Sequence, residues 1–225
     1  GNPGLGKTYF SNEAAKALGL DYSEVNMATI TAGFVLSGGS LQWGEGSIGF
    51  IAKSLADSNI GNPIVVLDEI DKAAKDSKYD PLGCFYPLLE RHSALRFKDE
   101  ALELELDTSY INWILTANNL QLIPAPILSR VKVFNIELPT TDQMPAIVKS
   151  IYAGIRESEP YGKLLDENLP DEILYMFDGV SPRVIKRKLA EACSKSFLDN
   201  RTIIRVSDFD LNKPKLGREY RIGFL

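Results

Sequence analysis

The sequence predicts an α/β fold, a parallel sheet sandwiched by helices, followed by a small all-helical domain. Three observations predict it. A glycine-rich turn, GNPGLGKT at residues 1–8, runs directly into a helical pattern, KTYFSNEAAKALG. Ile64 to Leu67 are four consecutive apolar residues, and INWIL is a second largely apolar stretch; neither alternates with polar residues, as in strands covered on both faces. From residue 139 onward the pattern is helical only.

The opening turn completes G-x-x-x-x-G-K-[ST], the phosphate-binding P-loop. Gly1, Asn2, Pro3, Gly4, Leu5 and Gly6 supply a loop whose backbone N–H groups can curl around phosphate oxygens. Glycine takes the required backbone angles without a Cβ penalty. Lys7 would reach the β- and γ-phosphates, and the Thr8 hydroxyl would hold Mg²⁺. The positive end of the following helix would face the same phosphates. A chance glycine-rich turn is the bland alternative, and a full match running into a helix weighs against it. Such a loop ordinarily follows a buried strand, and none precedes Gly1. The expectation is a protein that starts upstream, and a sheet that here lacks its first strand.

Composition narrows the class. The 225 residues suffice for one large or two modest domains, and 44% hydrophobic content suits a globular protein. A net charge of −5 argues against a dedicated nucleic-acid binder. No apolar run is long enough to span a bilayer, and a cytoplasmic protein is expected. Cys84 and Cys193 stand outside metal-ligand spacing and read as buried reduced thiols. His92 is the single histidine, so a zinc site or a histidine-based nucleophile system is disfavoured. It reads as a surface or capping residue.

Along the chain, residues 21–28 can form a strand, and TAGFVLSGGSLQWGEGS reads as a loop. Ile48, Ile51, Ala52, Leu55 and Ala56 mark a helical stripe. In IVVLDEID, Asp68 and Glu69 close the apolar run at the strand end where open α/β sheets bind ligands. Downstream of a P-loop this is the Walker B arrangement. Asp68 would hold Mg²⁺ through water, and Glu69 would orient or deprotonate the attacking water. An Asp N-cap on an ordinary strand-to-helix turn is the alternative.

DPLGCFYPLLERH suggests a helix interrupted near Pro87, and ALELELD an exposed strand or hairpin arm. INWILTAN reads as a second buried strand ending in Asn118. IPAPILSR gives a short helix ending in Arg130, and VKVFNIELP a further strand. Pro139 to Asp142 mark a boundary, with Thr141 or Asp142 as the cap of a new helix. The expected domains are residues 1–138 (α/β), 139–210 (helical) and a basic tail, 211–225.

The order of these motifs resembles the AAA+ ATPases, and more narrowly the ATPase module of Lon-type proteases. GNPGLGKT, IVVLDEIDK, DP with LLE, WILTAN, IPAPILSR and GVSPR carry the resemblance across nearly the whole chain. It implies ATP and Mg²⁺ as ligands and an α/β domain followed by a helical lid. Asn118 matches sensor 1, which positions the lytic water; a strand-end turn is its alternative. Arg130 matches the arginine finger offered to a neighbouring subunit; a surface ion pair is its alternative. Arg183 matches sensor 2 on the lid, next to Pro182; a basic helix face shared with Lys186 and Arg187 is its alternative. Trp43 matches the pore-loop aromatic that grips polypeptide, although Gly44 and Glu45 depart from the usual wording and a buried loop tryptophan is the alternative.

The resemblance further implies a homo-oligomer, a hexameric ring, that remodels or unfolds a protein substrate. Nucleic acid and membrane are not expected as partners. No residues remain after the lid for a peptidase domain, so proteolysis by this chain is not expected. Two other readings stay open: a DNA-associated loader and a nucleotide-gated switch with little turnover.

Overall fold

The computed structural model describes residues 1–40, 46–74 and 80–209. The chain divides between Glu137 and Leu138 into two compact units.

The first unit is built on a parallel sheet of β1 (Tyr22–Asn26), β2 (Ile64–Asp68) and, fifth in the chain, β5 (Asn112–Leu115). The strand order is β1-β2-β5, with Val25 opposite Leu67 and Leu67 opposite Leu115. β2 is central, and Ile64 to Leu67 are all buried. Its side chains alternate between two cores, as strand geometry requires. Ile64 and Val66 pack with Ala15 of helix α1 (Lys7–Leu18). Val65 and Leu67 pack on the other face with Met27, Leu36, Ile51, Phe85 and Ile127. These come from the turn after β1 and from helices α2 (Phe34–Ser37), α3 (Phe50–Ala56), α4 (Phe85–Leu88) and, after α5 (Arg91–Ala94), α6 (Ala125–Leu128). Each fully buried aliphatic side chain contributes roughly 1.5–3 kcal/mol.

α1 ends on Gly19, whose left-handed backbone (φ 65°) lets its N–H reach the Ala15 and Lys16 carbonyls. The predicted stripe from Ile48 is shorter than expected. α3 begins at Phe50, and Ile48 and Ala56 are exposed. Gly49 precedes the helix in an extended conformation (φ −70°, ψ 158°), where a Cβ would collide with the backbone of Leu36 and Gly38. ALELELD contributes β4 (Glu105–Leu106), which pairs antiparallel with β3 (Phe97–Lys98). The helix expected over DPLGCFYPLLERH is split, with Leu89 and Glu90 between α4 and α5.

Two expectations fail for one reason. INWIL was expected to be buried, and its Asn112–Leu115 residues are half-buried or exposed. VKVFNIELP was expected to be a strand, and residues 131–139 form none; most of them are exposed. A cavity of about 790 Å³ lies along the outer edge of β5, with Ile114, Leu115, Val133 and Ile136 in its walls. β5 pairs on one side only, and the 131–139 segment has no ladder partner, so neither completes a strand's hydrogen bonds on that side.

The second unit holds helices α7 (Met144–Ser158), α8 (Asp171–Tyr175) and α9 (Pro182–Leu198). Met144, Val148, Tyr152 and Ile155 recur at helical spacing and meet Ile173, Ile185 and Leu189. The expected caps do not form. Neither Thr141 nor Asp142 caps α7, because the preceding turn is closed by Gln143, whose Oε1 accepts from Thr140 N at 3.1 Å. Thr141 donates instead to Asp178. The segment after α9 returns through Arg201, whose guanidinium grips Asp208 with two bonds of 2.7 and 2.9 Å.

Candidate active site

Parallel strands bring their C-terminal ends to one edge, and the P-loop sits there. Gly4 (φ 78°) and Gly6 (φ 86°) are left-handed, and Gly6 leads into α1 with no side-chain cap and no acidic residue in the first turn. That leaves the positive end of the helix open to an anion. Lys7 Nζ donates to the carbonyls of Gly1 and Asn2 and, at 2.8 Å, to Asn118 Oδ1. The P-loop lysine and the amide at the end of β5 are therefore in direct contact, although 111 residues separate them.

At the end of β2, Asp68 Oδ1 accepts from Thr8 Oγ1 at 2.7 Å. It also accepts from Thr116 Oγ1 at 2.5 Å. Glu69 follows in a left-handed conformation (φ 56°), and its carboxylate receives Lys72 Nζ at 2.6 Å. Lys7, Thr8, Asp68, Glu69 and Asn118 thus gather around one edge of the sheet. Asn2, Pro3 and Leu5 complete the loop, and Gly1 packs on the backbone of Ile136.

Arg130 lies just past α6. Its guanidinium donates twice to Glu90 and once to the carbonyl of Pro126. Arg183 is the second residue of α9, exposed on the same helix face as Lys186 and Arg187, and belongs to the helical unit. Pro182 occupies the first turn of that helix, where its missing N–H costs nothing. Trp43 and the basic tail lie outside the described residues.

Sequence reasoning missed three residues of this region. Thr116, buried, joins Asp68 to the turn that follows it. Asp71 accepts the N–H of Asn119 at 3.1 Å, tying the loop of Asn118 to the acidic turn. Glu90 holds Arg130. The one available signal was position: Thr116 stands two residues before Asn118, at the end of a strand adjoining β2.

The donors suit a magnesium nucleotide. Thr8 Oγ1 and the Asp68 carboxylate are hard oxygen ligands already side by side, as Mg²⁺ prefers when phosphates and water complete its shell. No cluster of three or more His, Cys, Asp or Glu side chains forms a separate metal site among the described residues. Burial pushes the thiols of Cys84 and Cys193 up to about 12, so neither is a thiolate near neutrality. His92 is exposed on α5. Among the described residues no helix is long and apolar enough to cross a membrane.

The family model described as "ATPase family associated with various cellular activities (AAA)" matches residues 1–139. The Lon protease of Mycoplasmopsis agalactiae is 32% identical over 200 residues, covering 89% of this chain and 19% of that protein. Lon protease 1 of Bacillus subtilis is 29% identical over 203 residues, covering 87% of the chain and 26% of the relative. The chain spans about a quarter or less of the length of these relatives. Among solved structures, the Thermotoga maritima RuvB Holliday junction branch migration motor superposes with a TM-score of 0.58 at 17% identity. That match covers 92% of this chain and 57% of RuvB, a likeness of fold.

Proposed function

Because the chain belongs to the AAA family of ATPases, we propose that it binds Mg–ATP at the edge of the sheet and hydrolyses it. Hydrolysis would be coupled to the remodelling or unfolding of a polypeptide in a homo-oligomeric ring in the cytoplasm. The observation that carries the reading is the convergence of Lys7, Thr8, Asp68, Glu69 and Asn118 from three separate parts of the sequence.

Each residue has work suited to its chemistry. The N–H groups of the loop would donate to phosphate oxygens, and the Lys7 ammonium would exchange the Gly1 and Asn2 carbonyls for them. Thr8 and Asp68 would hold magnesium, which neutralises charge on the phosphates when bound. Glu69 would accept a hydrogen bond from the attacking water and take its proton. Asn118 would orient that water without adding charge. Arg130 would stabilise charge on a neighbouring subunit's phosphoryl group, and Arg183 would report nucleotide state through the helical lid.

The protein substrate rests on the similarity to Lon proteases, and Trp43 is the proposed grip. Proteolysis is not proposed for this chain. Duplex-DNA affinity falling steeply with salt would instead favour the loader reading. The test of hydrolysis is Glu69→Gln. ATP affinity should stay within about threefold while turnover falls by roughly 10²–10³. Unchanged turnover overturns the role of Glu69, and absent turnover in the wild type favours the nucleotide switch.

A further inference from the structure

We propose that Thr116 is a positioning residue for Glu69, a role that rests on the hydrolytic reading above. Glu69 is a non-glycine residue in the left-handed region, with φ 56° and ψ 43°. That conformation places Cβ against the following carbonyl, so neighbouring structure must hold it. Thr116 holds it from both sides. Its hydroxyl oxygen accepts the N–H of Glu69 at 3.1 Å. Its carbonyl accepts the N–H of the next residue, Ile70, at 3.0 Å.

The same hydroxyl donates its proton to Asp68 Oδ1 at 2.5 Å. One oxygen therefore fixes the carboxylate proposed to hold the metal and the backbone that aims the carboxylate proposed to hold the water. The remaining bond, Thr116 N to the Leu67 carbonyl at 3.0 Å, belongs to the strand pairing and needs no particular side chain. A β-branched shape suits the strand end, and valine offers it equally well. What valine lacks is the hydroxyl. Thr116 is 5% exposed, so solvent cannot readily replace the lost partners.

Three chains test this: wild type, Thr116→Val and Thr116→Ser. Backbone ¹³C shifts of Glu69 report its conformation independently of activity, and ATP turnover is measured alongside. Thr116→Val should move the Glu69 shifts out of the left-handed range and lower kcat about 100-fold with little change in KM, the size of effect that a misplaced reactive group produces. Thr116→Ser, which keeps the hydroxyl, should restore both. Thr116→Ala takes the place of the valine variant if that chain does not fold. Left-handed Glu69 with native kcat in the hydroxyl-free variant overturns the proposal. So does an equal fall in the valine and serine variants, which marks a purely structural residue. If no chain turns over ATP, the hydrolytic reading fails, and the Glu69 shifts alone decide whether Thr116 sets the backbone.

Discussion

Arg130 offers the sharpest separation between a structural and a catalytic role. In the isolated chain its guanidinium donates to Glu90 through two nitrogens and to the Pro126 carbonyl through a third. The pair is partly exposed, with 28% of the arginine and 48% of the glutamate side chain accessible. An ion pair of that exposure contributes about 0.2–1 kcal/mol. An arginine finger acting on a neighbour's phosphoryl group accelerates turnover by about 10³–10⁵, or roughly 4–7 kcal/mol. The two roles therefore differ severalfold in energy. Arg130→Ala should cost about 1 kcal/mol or less in urea unfolding, yet lower ATP turnover of the assembled protein about 10³-fold. Glu90→Gln should perturb both only slightly. Mixing Arg130→Ala chains with Glu69→Gln chains should restore activity at interfaces where an intact arginine meets an intact glutamate. A silent mixture, or an Arg130→Ala chain with full turnover, refutes action across an interface.

Two further outcomes follow from backbone geometry and from charge. In Gly6→Ala the new Cβ meets no atom within 4 Å, so only the left-handed φ of 86° opposes it, and unfolding should lose about 1–2 kcal/mol. Gly49→Ala has an ordinary φ of −70° but collides with the backbone of Gly38 and Leu36 and threatens the 2.9 Å bond from Gly49 N to buried Asp99. It should lose more, about 3 kcal/mol, and the reverse order of urea midpoints would refute this account. In the helical unit, the Arg201 guanidinium holds the Asp208 carboxyl below the usual carboxylate range. A depressed folded value stabilises fully above the ordinary carboxylate pKa near 3.9 and is lost as the pH falls through the folded value. Asp208→Asn should therefore flatten the acid limb of that unit's stability curve, followed by circular dichroism.

What was legible in the sequence was chemistry held within one short segment. GNPGLGKT dictates its own turn because Gly4 and Gly6 take positive φ and Lys7 begins the helix. IVVLD announces a covered strand because Ile64 to Leu67 are four apolar residues in a row, and the structure buries all four, alternating between two faces. VKVFNIELP failed because strand propensity is not a partner. A strand forms when its N–H and C=O groups find a ladder, and a cavity lies along the adjoining edge of β5. The cap of α7 failed because Gln143, one residue on, closed the turn first. Thr116 and Glu90 were invisible because each acts on a residue at least 40 positions away, and no spacing rule reaches that far.

The hydrogen bonds of the site also bear on why it stays ordered. Thr8 satisfies Asp68, Lys7 satisfies Asn118 and the loop carbonyls, and Lys72 satisfies Glu69. These are the same groups proposed to receive phosphate, metal and water. Left without partners, partly buried donors and charges would cost about 1–3 kcal/mol each, and the loop would have reason to rearrange. Paired with one another, they hold near their working positions, so ligand binding exchanges partners rather than ordering a loose loop. Affinity is reduced by the bonds that must be released, and the orientation of the reactive groups is set beforehand. Thr116 fits this logic as the member with no ligand to meet: its bonds to Asp68 and Glu69 need not break when the others exchange, so it can preserve the geometry that the exchange depends on.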